Sequence, residues 1–472
     1  MVLKILVGYP PLKGKRGSAL LSQNRQFQWF NNPTYIFPVV LASAATLLKS
    51  KGYDAHWMDC IAEGISEESF FKFLEEEKFD LFMFETKTPV IKQHWDLIDK
   101  IKERFKIKVV LVGDHVTALP EESFKNSKVD YVLTGGDYDF LALDFIESLK
   151  KKRLPKGVYS RKENGGNFIL SHDLDSLPFI DRDFCKWELY QKEFNIPARP
   201  YMYIMSGRDC WWGKCKFCAW PQLYPKFRIR SVQNVLDEIG MLIEKYNVKE
   251  IFDDSGTLMT GRWLTDLCNG LIERGYNKKM RYSCNMRFGA LNLDDYKLMR
   301  GAGFRLLKFG LESANQKTLD WLDKGIKVED IVEGCRLAKK SGLTVHLTMI
   351  LGFTFETEEE AMNTYRLAKK LMLKGYADVL QSTIIVPYPG TKLYEEGIKK
   401  KWFRFNDYER FDMSEPVLKI DYDAVAICNK VYKIFINPVY IFRHLMKIRS
   451  FNDLKYTVRG VFAVFGHLKD FS

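Results

Sequence analysis

Short, nearly continuous apolar runs alternate with amphipathic stretches along the first third of the chain. The runs at 5–7, 54–58, 81–84, 109–112 and 129–133 lack the polar alternation of a half-exposed strand, which predicts strands buried on both faces. Between them, residues 39–51, 67–77, 94–105 and 120–126 repeat apolar positions at helical spacing. This alternation predicts a doubly wound parallel α/β sheet over residues 1–150. Ligands on such sheets sit at the carboxyl ends of the strands. Here those ends read Gly8-Tyr9-Pro10-Pro11, Glu85-Thr86-Lys87-Thr88-Pro89, Gly113-Asp114-His115 and Thr134-Gly135-Gly136-Asp137. Small and hydroxylic residues let backbone amides approach a large polar ligand closely.

Residues 151–200 carry Gly, Asn, Pro and basic punctuation and predict a linker that wraps between domains. The alternation resumes over 201–400, with strands predicted at 201–205, 250–253, 281–285, 306–310, 345–351 and 379–386. Six βα-like units predict a partial or full βα barrel, whose chemistry sits on the loops after the strands. Residues 401–472 predict a helical, aromatic and basic C-terminal region.

Composition narrows the function classes. Of 472 residues, 46% are hydrophobic and 28% charged, which excludes disorder as the main state. Every apolar stretch is interrupted well before about 20 residues, and no cleavage region follows the N-terminal apolar run. These features predict a cytoplasmic protein. The net charge of +12 favours anionic partners: phosphate-bearing cofactors, anionic lipid or an acidic redox protein. Nucleic acid is not expected, because no reader motif accompanies the charge.

Nine cysteines are mostly scattered singly, which argues against a disulfide framework. Three cluster directly after the first strand of the second domain, in Cys210-Trp211-Trp212-Gly213-Lys214-Cys215-Lys216-Phe217-Cys218. Three thiolates at C-x4-C-x2-C spacing can ligate three irons of a 4Fe-4S cluster and leave the fourth open for a substrate. A zinc site would need a fourth ligand that nothing nearby supplies. A redox pair of Cys215 and Cys218 would leave Cys210 unexplained.

The loop resembles the cluster loop of radical S-adenosylmethionine (SAM) enzymes, with one residue more than their usual C-x3-C-x2-C. Further motifs follow in the family's order: Phe252-Asp253-Asp254-Ser255, Ser283-Cys284-Asn285-Met286-Arg287, Phe309-Gly310-Leu311-Glu312-Ser313, and the run from Ile350-Leu351-Gly352 to Glu356-Thr357. The resemblance covers about residues 200–395. It implies cluster ligation by Cys210, Cys215 and Cys218, and SAM contacts at Phe217, Asp254, Asn285, Arg287, Glu312 and Leu351.

A doubly wound domain ahead of such a barrel resembles the cobalamin-binding domain of the same superfamily. That implies corrin contacts at Tyr9, Pro10, Thr86, Thr88, Gly113, His115, Gly135, Gly136 and Asp137; the alternative is a doubly wound domain that binds no corrin. The D-x-H-x-x-G motif of many corrinoid proteins is absent. His56 reads as a packed strand residue, and His115 as either a contact to the cobalamin tail or a helix cap. The nearest look is to the branch of anaerobic magnesium-protoporphyrin cyclase and hopanoid-modifying enzymes.

The resemblance implies an enzyme that cleaves SAM to a 5′-deoxyadenosyl radical and methylates an unactivated carbon of a hydrophobic or lipid-like substrate. It assigns no catalytic side chain. An acidic flavodoxin or ferredoxin is the expected electron donor. One alternative is cyclisation or rearrangement without methyl transfer, and another is a non-catalytic iron–sulfur redox or sensor protein. Basic and large apolar residues interleave over 431–469, which suits either a cover for the barrel or peripheral contact with a membrane.

Overall fold

The computed structural model describes residues 3–14, 17–22, 27–31, 34–151, 153–193 and 196–446. Its N-terminal half holds eight strands: β1 (Lys4–Tyr9), β2 (Ser18–Leu20), β3 (Gln28–Phe30), β4 (Asp54–Asp59), β5 (Leu81–Glu85), β6 (Lys108–Val112), β7 (Tyr131–Leu133) and β8 (Val158–Ser160). Six of them form one sheet in the order β4-β1-β5-β6-β7-β8. The first five run parallel, and β8 closes the edge antiparallel to β7. The strand order reverses at β1, so the crevice between β1 and β5 is the switch point where doubly wound sheets take ligands.

Three features of this half escaped the pattern reading. β8 arises from the segment expected to be only a linker. β2 and β3 form a hairpin of three residues per strand, too short for a period to register. The helix Tyr138–Ser148 reads Tyr-Asp-Phe-Leu-Ala-Leu-Asp-Phe-Ile-Glu-Ser, apolar on most sides, so helical periodicity is muted. It packs on the helix Val39–Ser50, whose first ten residues are all buried. From the 151–200 segment, Ile180, Cys185, Tyr190 and Ile196 join the N-terminal core to Tyr201, Tyr203 and Phe252 of the second half.

The second half adds β9 (Tyr201–Ile204), β10 (Gly207–Arg208), β11 (Arg228–Ile229), β12 (Glu250–Asp253), β13 (Arg281–Met286), β14 (Phe304–Glu312), β15 (Thr344–Leu351) and β16 (Val379–Ile384). Strands β9, β12, β13, β14, β15 and β16 form a parallel sheet in chain order, with β9 and β16 at its edges. This is a partial βα barrel. Side chains alternate across it: Leu307, Phe309, Leu311, Leu347 and Met349 face the outer helices, while Lys308, Gly310, Glu312, Thr348 and Ile350 line an inner cavity.

The C-terminal region is only partly helical. Residues 401–423 are held by an antiparallel bridge between Phe403 and Leu418 and a short 3-10 turn at Tyr408–Arg410. Turn formers (Asp407, Asp412, Ser414, Pro416) interrupt any helical run there. The helix Ala424–Tyr432 then covers β16 and sends Ile427, Cys428, Val431 and Tyr432 into the barrel core. The basic positions from Lys447 onward lie outside the described residues.

Candidate active site

The cysteine loop leaves the sheet between β10 and β11, whose antiparallel pairing ties its two ends together. Gly213 takes a left-handed conformation (φ +59°) inside the longer C-x4-C interval, a turn few other residues would accept. Aromatic side chains fix the rest. The Trp211 indole donates to the Leu258 carbonyl at 3.1 Å and the Trp212 indole to the Asp323 carbonyl at 2.7 Å. Phe217 is buried against Leu322, Ile350, Phe353 and Leu393.

The three thiols open onto one cavity of about 260 Å³. Phe217, Asp254, Asn285, Arg287 and Glu312 line it too, so motifs spread over a hundred residues converge. Leu351 does not join them: its side chain is fully buried among the outer helices, and Ile350 takes the cavity position. Among the described residues, no three His, Cys, Asp or Glu side chains converge on a single metal-ion position. Burial pushes the Cys215 and Cys218 thiols up from their ordinary value. Iron would displace those protons on binding.

Several motif residues prove to be braces. Asp253 accepts from the Ser206 and Ser255 amides and from the Tyr282 hydroxyl, which leaves Asp254 to face the cavity. Asn285 Nδ2 donates to the Ser255 carbonyl at 2.9 Å. The carboxylate of Glu356 accepts from Ser313, Asn315 and Thr318, knitting the Glu312-Ser313 loop to the Gly352–Thr357 loop.

Some cavity residues gave no motif signal. Lys324 places Nζ 2.6 Å from Glu312 Oε1, with side chains only 13% and 7% exposed. Burial opposes charging Lys324, but the Glu312 carboxylate outweighs it, and the ammonium rises above its ordinary value. Leu20, Gln28 and Phe30 reach in from the N-terminal hairpin, and Met413 from the C-terminal region. Contributions so distant in sequence leave no local pattern.

The carboxyl edge of the N-terminal sheet abuts this loop. Arg208, one residue past the start of β10, makes a bidentate pair with Asp139 (2.8 and 2.5 Å) and reaches Asp137 at 3.0 Å. Arg228 donates to Asp137 at 2.7 Å. Burial alone would raise the Asp137 carboxyl, but the two arginines outweigh it and hold it below the usual carboxylate range. The Tyr224 hydroxyl donates to the Gly136 carbonyl at 2.9 Å, and its ring lies where a Cβ on Gly136 would be, 2.2 Å away. The Cβ position of Gly135 is likewise taken by the Phe168 ring, at 2.6 Å.

The other strand-end residues are buried and bonded. The Tyr9 hydroxyl donates to Glu85 Oε2 at 2.6 Å, with Tyr138 at 3.2 Å. Thr86 pairs with His94 at 2.7 Å, while Pro10 is buried beside Tyr9. His115 lies within the helix Asp114–Ala118, whose N-cap is Gly113, so it caps nothing; its ring nitrogens meet Thr88 (3.1 Å) and Glu122 (3.0 Å). His56 stands in β4 against Phe79, 2.9 Å from Asp54.

Residues 204–368 match the sequence model of the Radical SAM superfamily, spanning the cysteine loop and the cavity motifs. This segment is a radical SAM domain. The chain is 26% identical over 445 residues to an uncharacterised methyltransferase of Pyrococcus horikoshii, covering 91% of this chain and 94% of that one. It is 24% identical to the anaerobic magnesium-protoporphyrin IX monomethyl ester cyclase of Cereibacter sphaeroides, over 81% of this chain and 63% of the cyclase. Two solved folds are similar: the cobalamin-dependent SAM radical enzyme OxsB (15% identity, TM-score 0.65, 98% of this chain and 72% of that one) and the radical SAM methyltransferase TsrM from Kitasatospora setae (14%, 0.65, 85% and 75%). The OxsB likeness, at 98% of this chain, takes in the N-terminal sheet as well as the radical SAM domain.

Proposed function

We propose that this radical SAM enzyme binds cobalamin on its N-terminal domain and methylates an unactivated carbon of a hydrophobic substrate. The observation that carries the reading is how the two halves face each other. Lys87, at the carboxyl end of β5, places Nζ 5.5 Å from the centre of the Trp220 ring, and Trp220 lines the cavity shared by the three cysteines. A ligand on the sheet's carboxyl edge would therefore border the space where SAM is held. When bound, the cluster supplies the electron that cleaves SAM, and cobalamin the methyl group.

The residues at the switch point fit a large polar ligand. Gly113 (φ +121°) lies so close to the Thr86 carbonyl that a Cβ would meet it at 2.3 Å, which draws the β5 and β6 loops together. Beneath them Glu85 Oε1 is buried, makes no hydrogen bond among the described residues and lies 3.9 Å from Lys87 Nζ. Burial pushes the Glu85 carboxyl up to about 7. Pro10 and the loop backbone around Thr86, Thr88 and Gly113 would border the corrin, since the Tyr9, Thr86 and Thr88 side chains are already bonded to Glu85, His94 and His115. Gly135, Gly136 and Asp137 are committed to Phe168, Tyr224 and the two arginines. With both ring nitrogens engaged, His115 is poorly placed to ligate cobalt. Hydroxocobalamin added to the purified protein should stay bound through gel filtration with a shifted visible spectrum; a corrin that washes away at once would contradict the reading.

The cavity wall away from the cysteines mixes apolar and polar groups, which supports a largely hydrophobic substrate that also carries hydrogen-bonding groups. Leu20, Phe30, Ile350 and Met413 supply apolar surface, and Gln28, Thr348, Gln381 and Thr383 neutral polar groups. The match to the magnesium-protoporphyrin cyclase favours a second reading, in which the same site cyclises its substrate. The net charge of +12 suits an acidic flavodoxin or ferredoxin as electron donor.

Membrane contact belongs to the same reading. Among the described residues no helix is long and apolar enough to cross a membrane. Ile436, Val439, Phe442, Leu445 and Met446 are nonetheless each more than half exposed, beside exposed Lys430 and Lys433. Such a row fits the interface of an anionic bilayer. The protein should co-sediment with vesicles containing anionic phospholipid, and Phe442→Ser should weaken this several-fold; no vesicle binding by the parent chain would contradict it.

A further inference from the structure

The turn Leu322–Gly325 makes more bonds to the cysteine loop and its surroundings than its sequence announces. The Leu322 carbonyl accepts from the Lys216 amide at 3.0 Å, between Cys215 and Cys218. The Asp323 carbonyl accepts from the Trp212 indole at 2.7 Å, and the Gly325 carbonyl from Arg287 at 2.7 Å. Arg287 in turn stacks 3.9 Å from the centre of the Trp212 ring. The backbone of this turn thus embraces the loop, and the one side chain it sends into the cavity is Lys324. Among the described residues the ion-pair partner of Lys324 is Glu312, with Oε1 at 2.6 Å. Their side chains are only 13% and 7% exposed, so water screens them weakly.

We propose that Lys324 is a positioning residue that sets the reduction potential of the iron–sulfur cluster, with Glu312 as its counterweight. The inference rests on the cluster reading of Cys210, Cys215 and Cys218. A 4Fe-4S core held by three thiolates carries one net negative charge, and a second once it accepts an electron. A fixed ammonium on the same cavity wall stabilises the reduced state more than the oxidised one. A carboxylate beside it cancels part of that preference. The charge acts without transferring atoms: the single electron comes from an external low-potential donor, dithionite in the test, and stays on iron. Lys324 and all three cysteines line the same cavity.

The two substitutions should move the cluster in opposite directions, which a merely structural pair would not do. The protein is reconstituted anaerobically with iron and sulfide, without SAM, and the reduced cluster is followed by electron paramagnetic resonance against ambient potential. Lys324→Met should lower the reduced-to-oxidised ratio at fixed potential by about tenfold, a shift of about 59 mV downward for a one-electron couple. Glu312→Gln, which leaves the ammonium without its counter-charge, should raise the ratio by a similar factor. Lys324→Arg should restore most of the parent potential. Should Lys324→Met fail to assemble a cluster, Glu312→Gln still decides the matter. Clusters that assemble with unshifted potentials, or shifts of one sign in both variants, would overturn the inference while leaving the cluster reading intact. A parent protein that takes up no cluster would overturn both.

Discussion

Arg208→Met is expected to lower the free energy of unfolding by about 3–5 kcal/mol, among the largest effects of any single substitution outside the barrel core. Arg208, Asp137 and Asp139 are all at most 5% exposed, and the substitution leaves two carboxylates in a place water scarcely reaches. Arg228 still touches Asp137 but not Asp139, so it cannot take up the whole deficit. The pair also ties the carboxyl edge of the N-terminal sheet to the start of the cysteine loop. Denaturant unfolding should therefore show the two halves separating into distinct transitions in the variant. The acid limb gives an independent reading. Asp137 is depressed in the folded state, so its contribution is present above the unfolded carboxylate pKa and is lost as pH falls through the folded value. Without Arg208 that limb should be shallower. A variant as stable as the parent, with an unchanged acid limb, would mean the clamp contributes nothing.

Cys215→Ala is expected to abolish cluster retention and with it all SAM cleavage. Two thiolates hold a cubane far less securely than three, and the loss should appear as missing iron, sulfide and visible absorbance in an otherwise folded protein. Cys284→Ala is the control. That thiol is fully buried in the barrel core on the outer face of β13 and touches no part of the cavity. It should cost packing energy of about 1 kcal/mol while cluster content stays at the parent level. Equal losses in both variants would point to general instability rather than ligation.

The parts that the sequence disclosed share a physical cause. Strands such as Glu250–Asp253 and helices such as Glu67–Glu77 emerged at their observed bounds because burial on one or two faces imposes a period that local composition must obey. The cysteine loop and the ordered motifs carried the site because cluster and SAM chemistry demand particular side chains at fixed spacings. Lys324 carried no such mark: its meaning comes from Glu312, twelve residues away, and from a turn whose backbone carbonyls do the bracing. Leu351 shows the converse. It stands in an ordered motif, but strand alternation turned its side chain outward and gave the cavity to Ile350. The Gly135-Gly136-Asp137 run looked like a ligand loop, yet Tyr224 and two arginines from the other half take up that surface. Inter-domain partners of this kind leave no trace in local pattern.

The central claim is that one cavity joins SAM cleavage to methyl transfer from a corrin on the facing sheet. The most direct measurement incubates the anaerobically reconstituted protein, loaded with hydroxocobalamin, with SAM and dithionite, and quantifies 5′-deoxyadenosine and S-adenosylhomocysteine by mass spectrometry. The account predicts both products, each dependent on Cys215, with S-adenosylhomocysteine lost when cobalamin is omitted. Deoxyadenosine alone, unchanged by cobalamin, would contradict methyl transfer and favour the cyclising reading; neither product from protein with an intact cluster would contradict the account as a whole.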